Sequence, residues 1–104
     1  MAIVYEPGDE IQITIGRTIY FAPALSWRDQ KKSLAITEAI KAMDDAEEQV
    51  DAGLAHIAER VTRSEPETEI TADELAGRLD EKSVWALLVA LQHNLADEEK
   101  KSCS

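Results

Sequence analysis

Cysteine is nearly missing from this chain. One residue, Cys103, stands beside the last position of 104, so no internal disulfide can form and the composition suits a reducing compartment. Aromatic residues are almost as scarce, with two Trp, two Tyr and one Phe, and alanine and leucine carry much of the 44% hydrophobic content. That bias favours helix over sheet. The four glycines are scattered, which excludes a glycine-rich phosphate loop. No apolar run approaches the roughly 18–20 residues that span a bilayer; the longest, VWALLVAL (Val84–Leu91), lies deep in the chain. The opening MAIVYEPGDE has neither the basic region nor the apolar stretch of a secretion signal. Cations are in deficit as well: 11 Lys+Arg face 21 Asp+Glu, a formal net charge of −10. A surface of that sign repels phosphate backbones and anionic head groups, so direct binding to nucleic acid or a membrane is not expected.

What remains reads as one domain over 1–104, α+β and predominantly α, with a short N-terminal β-hairpin followed by a helical body. The hairpin segment is 1–25. Ile3–Tyr5 is a short β-prone run closed by the turn EPGD, and Glu10–Ile15 alternates strictly, with Ile11, Ile13 and Ile15 on one face. Gly16-Arg17 makes a two-residue turn and Thr18–Ala22 returns, with Ile15 opposite Thr18 and Ile13 opposite Tyr20. Ile19 and Phe21 then fall on the other face. Either a bulge shifts the pairing by one residue or both faces are covered.

Residues 26–63 read as one long helix or a broken one. Ser26 is the expected N-cap, with Asp29 three residues on, and the helical pattern runs from about Trp27 to Thr62. Apolar residues fall in two rows seven apart: Ile36, Met43, Val50 and Ile57, then Ile40, Leu54 and Val61 with Glu47 interrupting. This is a heptad-like stripe. Ala35, Ala39, Ala42 and Ala46 form a small-residue face beside it. Gly53, about 1 kcal/mol less favourable than alanine in a helix, marks a place for a break. RSEPETE (Arg63–Glu69) reads as a polar loop. The C-terminal helices occupy 71–100: a short one capped by Thr71 with Glu74, and a last one capped by Asp80. The last carries Val84, Leu87, Leu88, Leu91 and Leu95 at helical spacing, with Trp85 and Val89 widening its apolar face.

No residue set predicts catalysis, a metal site or a cofactor site. His56 and His93 lack metal-type spacing, and Cys103 has no activating base near it in sequence. The acidic run DDAEEQVD (Asp44–Asp51) is the strongest test, because carboxylates on a helix hold Mg²⁺. Glu47, Glu48 and Asp51 resemble half the motif of all-α nucleotide pyrophosphatases. That family needs a second Glu-x-x-Asp downstream, and Glu6–Asp9 lies upstream in a turn. A solvated acidic face is the simpler reading, and the chain is not expected to be an enzyme. The expected functional surface is instead an apolar interface: Ile36, Ile40, Met43, Val50, Leu54 and Ile57 on the long helix for self-association, and Trp85, Leu88 and Val89 for a partner subunit or client.

The order of elements carries a resemblance. GRTIYFAPAL (Gly16–Leu25) followed by a helical body resembles the opening "Gly-x-x-Tyr-x-x-Pro-x-Leu" segment of the tail assembly chaperones of long-tailed bacteriophages, with one extra residue before the aromatic pair. TADELAGRLDEKSVWALLVALQHN (Thr71–Asn94) is similar to that family's C-terminal half. The family commonly yields a second, longer product by ribosomal slippage, and EEKKS (Glu98–Ser102) can be encoded by an unbroken adenine run. The resemblance implies a host-cytoplasmic chaperone that binds tail tube protein and tape measure protein, works as a homo-oligomer and needs no cofactor. Two other classes compete. One is an acidic nucleic-acid mimic that inhibits a host nuclease, seeded by Asp44, Asp45, Glu48 and Asp51; Lys31, Lys32, Lys41, Arg60 and Arg63 interrupt its field. The other is a small helical dimeric regulator, which lacks a basic DNA-reading element.

Overall fold

Strict alternation at residues 10–15 and a glycine where φ must be positive make the hairpin a local decision. The computed structural model of the chain describes residues 6–94 and is α+β, mainly α. Strands β1 (Glu10–Ile15) and β2 (Thr18–Pro23) pair antiparallel, Ile15 opposite Thr18 and Ile13 opposite Tyr20 as expected, with no bulge. Gly16 sits at φ +63° in the turn, where a side chain would strain the backbone. One face of the hairpin, with Ile11, Ile13, Tyr20 and Ala22, is buried in the core. On the other, Phe21 is buried beneath the Arg63 guanidinium, 3.7 Å from the ring centroid. Glu10 accepts from that guanidinium at 2.9 Å, and Glu65 pairs with it at 3.4 Å. Both faces are therefore covered, the second by a charged lid.

The region read as a polar loop begins with a strand, β3 (Arg63–Glu65), which pairs with β2 and makes a three-stranded sheet in the order β1-β2-β3. Only Ser64 is buried in it, so an edge strand of three polar residues leaves no hydrophobic trace. Its register follows from β2: Thr62 donates its backbone N–H to the Phe21 carbonyl at 2.8 Å, and the ladder continues from there.

The continuous helix from Trp27 to Thr62 is not formed. Helix α1 (Trp27–Lys41) ends, and α2 (Ala46–Arg60) begins after four intervening residues. The break avoids Gly53 and falls at the Asp44-Asp45 pair. Carboxylates oppose the negative end of one helix dipole and favour the positive end of the next. Asp45 becomes the α2 N-cap, its side chain accepting from the Glu47 N–H at 2.8 Å. The Gln49 amide reaches back to the Met43 and Lys41 carbonyls at 2.9 and 3.2 Å, satisfying groups left open at the end of α1. Gly53 instead lies buried within α2. A Cβ there would stand 2.9 Å from Leu88 Cδ1 and 3.2 Å from Val84 Cγ1, so the glycine permits a close α2–α4 crossing.

Helices α3 (Ala72–Ala76) and α4 (Glu81–Gln92) start where expected, capped by Thr71 and Asp80. The Thr71 hydroxyl accepts from the Glu74 N–H at 3.1 Å, while the Glu74 carboxylate turns to Arg78 at 2.9 Å rather than back to the cap. The core joins the inner hairpin face to Leu54, Ile57 and Val61 of the α2 region, Leu75 of α3, and Val84, Leu87, Leu88 and Leu91 of α4. The radius of gyration, 13.5 Å, matches the ~13 Å of a packed 100-residue domain. The predicted strand at Ile3–Tyr5, Leu95, the tail and Cys103 lie outside the described residues.

Candidate functional site

Two polar staples tie the end of β2 and the turn after it to the end of α4. The Asn94 side chain accepts from the Leu25 N–H at 2.7 Å and donates to the Leu25 carbonyl at 3.0 Å. Arg60 donates to the Pro23 and Leu91 carbonyls, each at 3.2 Å, and so holds the end of β2 to the last turn of α4. Neither residue stood out in the sequence. Both act on backbone atoms brought near by folding, and such partners have no sequence spacing.

Helix α1 docks through a largely polar stripe. Residues Ser33, Thr37 and Ile40 are buried, and α1 contributes nothing to the buried hydrophobic cluster. Ser33 Oγ lies 3.2 Å from His56 Nε2, and the Gln30 amide donates to the Gln92 carbonyl at 3.2 Å. His56 Nδ1 is buried and has no hydrogen-bond partner among the described residues. Burial, then the nearby Arg60 charge, push the His56 pKa below its ordinary value, with Glu59 opposing. The neutral imidazole therefore belongs to the packing between α1 and α2, where its Nε2 partners Ser33 and its Nδ1 is left best as an acceptor.

Apart from the buried Ile40, the large apolar residues of α1 are exposed. Five large hydrophobic residues are exposed among those described: Trp27 (70%), Leu34, Ile36, Met43 and Val89. Four of them lie on α1 or in the turn directly after it. Trp27 and Leu34 lie on one side of the helix and Ile36 and Met43 on the opposite side; between them Ala35, Ala39 and Ala42 share the exposed strip with Arg28, Lys31, Lys32 and Glu38. Charge is mixed along the same helix, with Asp29 in its first turn and Glu38 and Lys41 paired near its end. Arg28, Lys31 and Lys32 crowd the first turns, with Lys31 Nζ 5.9 Å from the Trp27 ring centroid. Beyond its end, Asp44, Asp45, Glu47, Glu48 and Asp51 form an exposed acidic corner.

The predicted interface residues thus separate into groups. Ile40, Leu54, Ile57 and Leu88 are buried within the chain, and Val50 and Trp85 are half-buried, packed against the core cluster. Ile36, Met43 and Val89 are exposed. The Ile36/Met43/Val50/Ile57 row is not one surface, because the break at residues 42–45 redirects the chain between its second and third members. Among the described residues no group of His, Cys, Asp and Glu is placed to hold a metal ion, and no helix is long and apolar enough to cross a membrane. No family model, curated protein or solved structure matches this chain. The most distinctive feature of the surface is a polar-docked helix on which Trp27, Leu34 and Ile36 stand exposed among charged and alanine side chains, followed by an acidic corner at residues 44–51.

Proposed function

We propose that the chain is a tail assembly chaperone of a long-tailed bacteriophage, a homo-oligomeric carrier in the host cytoplasm that binds tail tube protein, tape measure protein, or both. The reading assigns no catalytic residue, metal or cofactor. The observation that supports it is the gathering of exposed apolar side chains on one helix of a chain with net charge −10. Exposed large apolar side chains suit contact with another protein, and strong net charge keeps a chain that carries them soluble. The resemblance of Gly16–Leu25 and of the Thr71–Asn94 stretch to that family names the client class.

Co-expression with tail tube and tape measure proteins tests it directly. Expected results are co-purification with at least one of them and delayed tube polymerisation when the chain is in excess. Raising salt should weaken the effect only mildly, because apolar contact dominates. The exposed corner from Asp44 to Asp51 favours the competing mimic reading. Unaffected tube assembly, together with nuclease binding that collapses steeply with salt, would establish that reading instead.

A further inference from the structure

We infer that the buried Ser33–His56 contact is an acid-sensitive latch: one proton taken up at His56 frees α1 from the body of the chain while α2, α4 and the sheet stay packed. The device belongs to the fold and rests neither on the proposed function nor on the identity of any client.

His56 is buried where α1 meets α2, with Nε2 3.2 Å from Ser33 Oγ and Nδ1 without a partner among the described residues. A neutral imidazole fits that setting. Its one N–H goes to Ser33 Oγ, and a bare lone pair is tolerated better than an unpaired N–H. The protonated ring has two N–H groups, and the second finds no acceptor. The Thr37 hydroxyl is committed elsewhere, donating to the Ser33 carbonyl at 3.0 Å. Protonation also adds a charge beside one that cannot leave. Arg60 is held by the Pro23 and Leu91 carbonyls, each at 3.2 Å, and turning away would release the end of β2. The other charged groups at this junction are Glu59 on α2 and Asp29 on α1. Glu59 is exposed and screened by water, and Asp29 acts on the Arg60 guanidinium. α4 brings the neutral Gln92, whose carbonyl accepts from Gln30. A charged ring therefore gains by reaching water, and α1 is the helix that gives way. α2 places Leu54 and Ile57 in the buried apolar cluster, whereas α1 places nothing there. The turn before α1 stays tied to Asn94 through Leu25, so the helix releases between that point and the 42–45 connection.

Native-state amide exchange of the full chain tests the latch, read between about pH 7.5 and about pH 5 and corrected for intrinsic rates. An imidazole that binds its proton near 6.5 when α1 is open, and not at all when it is closed, raises the opening constant at most about thirtyfold at pH 5. A rise of about fivefold to thirtyfold is expected for the α1 amides. The α4 amides should stay at least about tenfold better protected at both pH values, because α4 opens only with the whole chain. In His56→Gln the α1 rise should shrink to about twofold or less. Three results overturn the proposal: α1 opening that ignores pH, one opening constant shared by α1 and α4, or an undiminished rise in His56→Gln. If that variant loses its helical circular dichroism, proton NMR of the unaltered chain decides, with His93→Gln distinguishing the two imidazoles. His56 should take up its proton below pH 6.5 and in step with the loss of α1 protection. Titration at about 6.5 with α1 still closed overturns the proposal.

Discussion

Helices α1 and α4 are close in length and dock on the same body by opposite means. α4 inserts Val84, Leu87, Leu88 and Leu91, each at most 1% exposed, and full burial of such side chains stabilises by about 1.5–3 kcal/mol apiece. α1 buries one isoleucine and two hydroxyl residues, and is held by the Ser33–His56 and Gln30–Gln92 contacts. A net hydrogen bond contributes only about 0.5–1.5 kcal/mol. The buried apolar cluster therefore closes without α1, and local opening of α1 is expected to cost less than that of α4. The same contrast explains Gly53. The tight crossing of α2 on α4 demands a residue without a side chain, and nothing comparable constrains the contact between α1 and α2.

The sharpest way to break the comparison is to cut into α4. Leu87→Ala should destabilise the chain by about 2–5 kcal/mol in urea denaturation, the range for a leucine cavity in a closed core. Gly53→Ala comes next. Overpacking costs about 1–3 kcal/mol, and the helix propensity gained returns about 1 kcal/mol. A net loss of about 1 kcal/mol is expected, and a gain would show that α2 and α4 can move apart freely.

Ser33→Ala should cost about 1 kcal/mol by leaving the buried imidazole without its partner. In native-state hydrogen exchange that loss should appear in α1 amides and leave α4 amides unchanged. Acid should act at the same place. The unfolded chain protonates His56 near 6.5, while burial and Arg60 keep its folded pKa lower. Between the two values the unfolded chain binds the extra proton, so stability falls as pH drops below about 6.5 and stops falling on this account below the folded value. His56→Gln, which keeps a polar partner for Ser33, should flatten that slope. An unchanged slope would assign it to other groups. The smallest effect is expected at Ile36→Ala: stability within about 0.5 kcal/mol of the unaltered chain, with self-association weakened. A large loss of stability there would mean that α1 packs through the face described as open.

Much of this was legible in short stretches, and the failures have identifiable causes. The break between α1 and α2 had a signal in Asp45 with Glu48 three residues on, a capping pattern; the heptad count outweighed it, because a period of seven continues across a short interruption without losing phase. β3 had no signal, since an edge strand of three polar residues owes its existence to the free edge of β2. The interface prediction mixed core with surface. Ile40, Leu54 and Ile57 share the spacing of Ile36 and Met43, and spacing alone does not say which row meets the rest of the chain.

The sequence by itself determined what depends on residues a few positions apart: the hairpin register around Gly16, the caps at Ser26, Thr71 and Asp80, and the apolar face of α4. These are local because a turn's φ angles, a capping hydroxyl and a helical stripe are each specified within one or two turns of chain. Only the tertiary structure decided which face of α1 is buried, that Gly53 is a contact rather than a break, and that Arg60 and Asn94 are staples. Hydrophobic attraction has no direction of its own. With α2, α4 and the sheet filling the core, α1 buries Ser33, Thr37 and Ile40, and Trp27, Leu34 and Ile36 stand exposed among its charged residues.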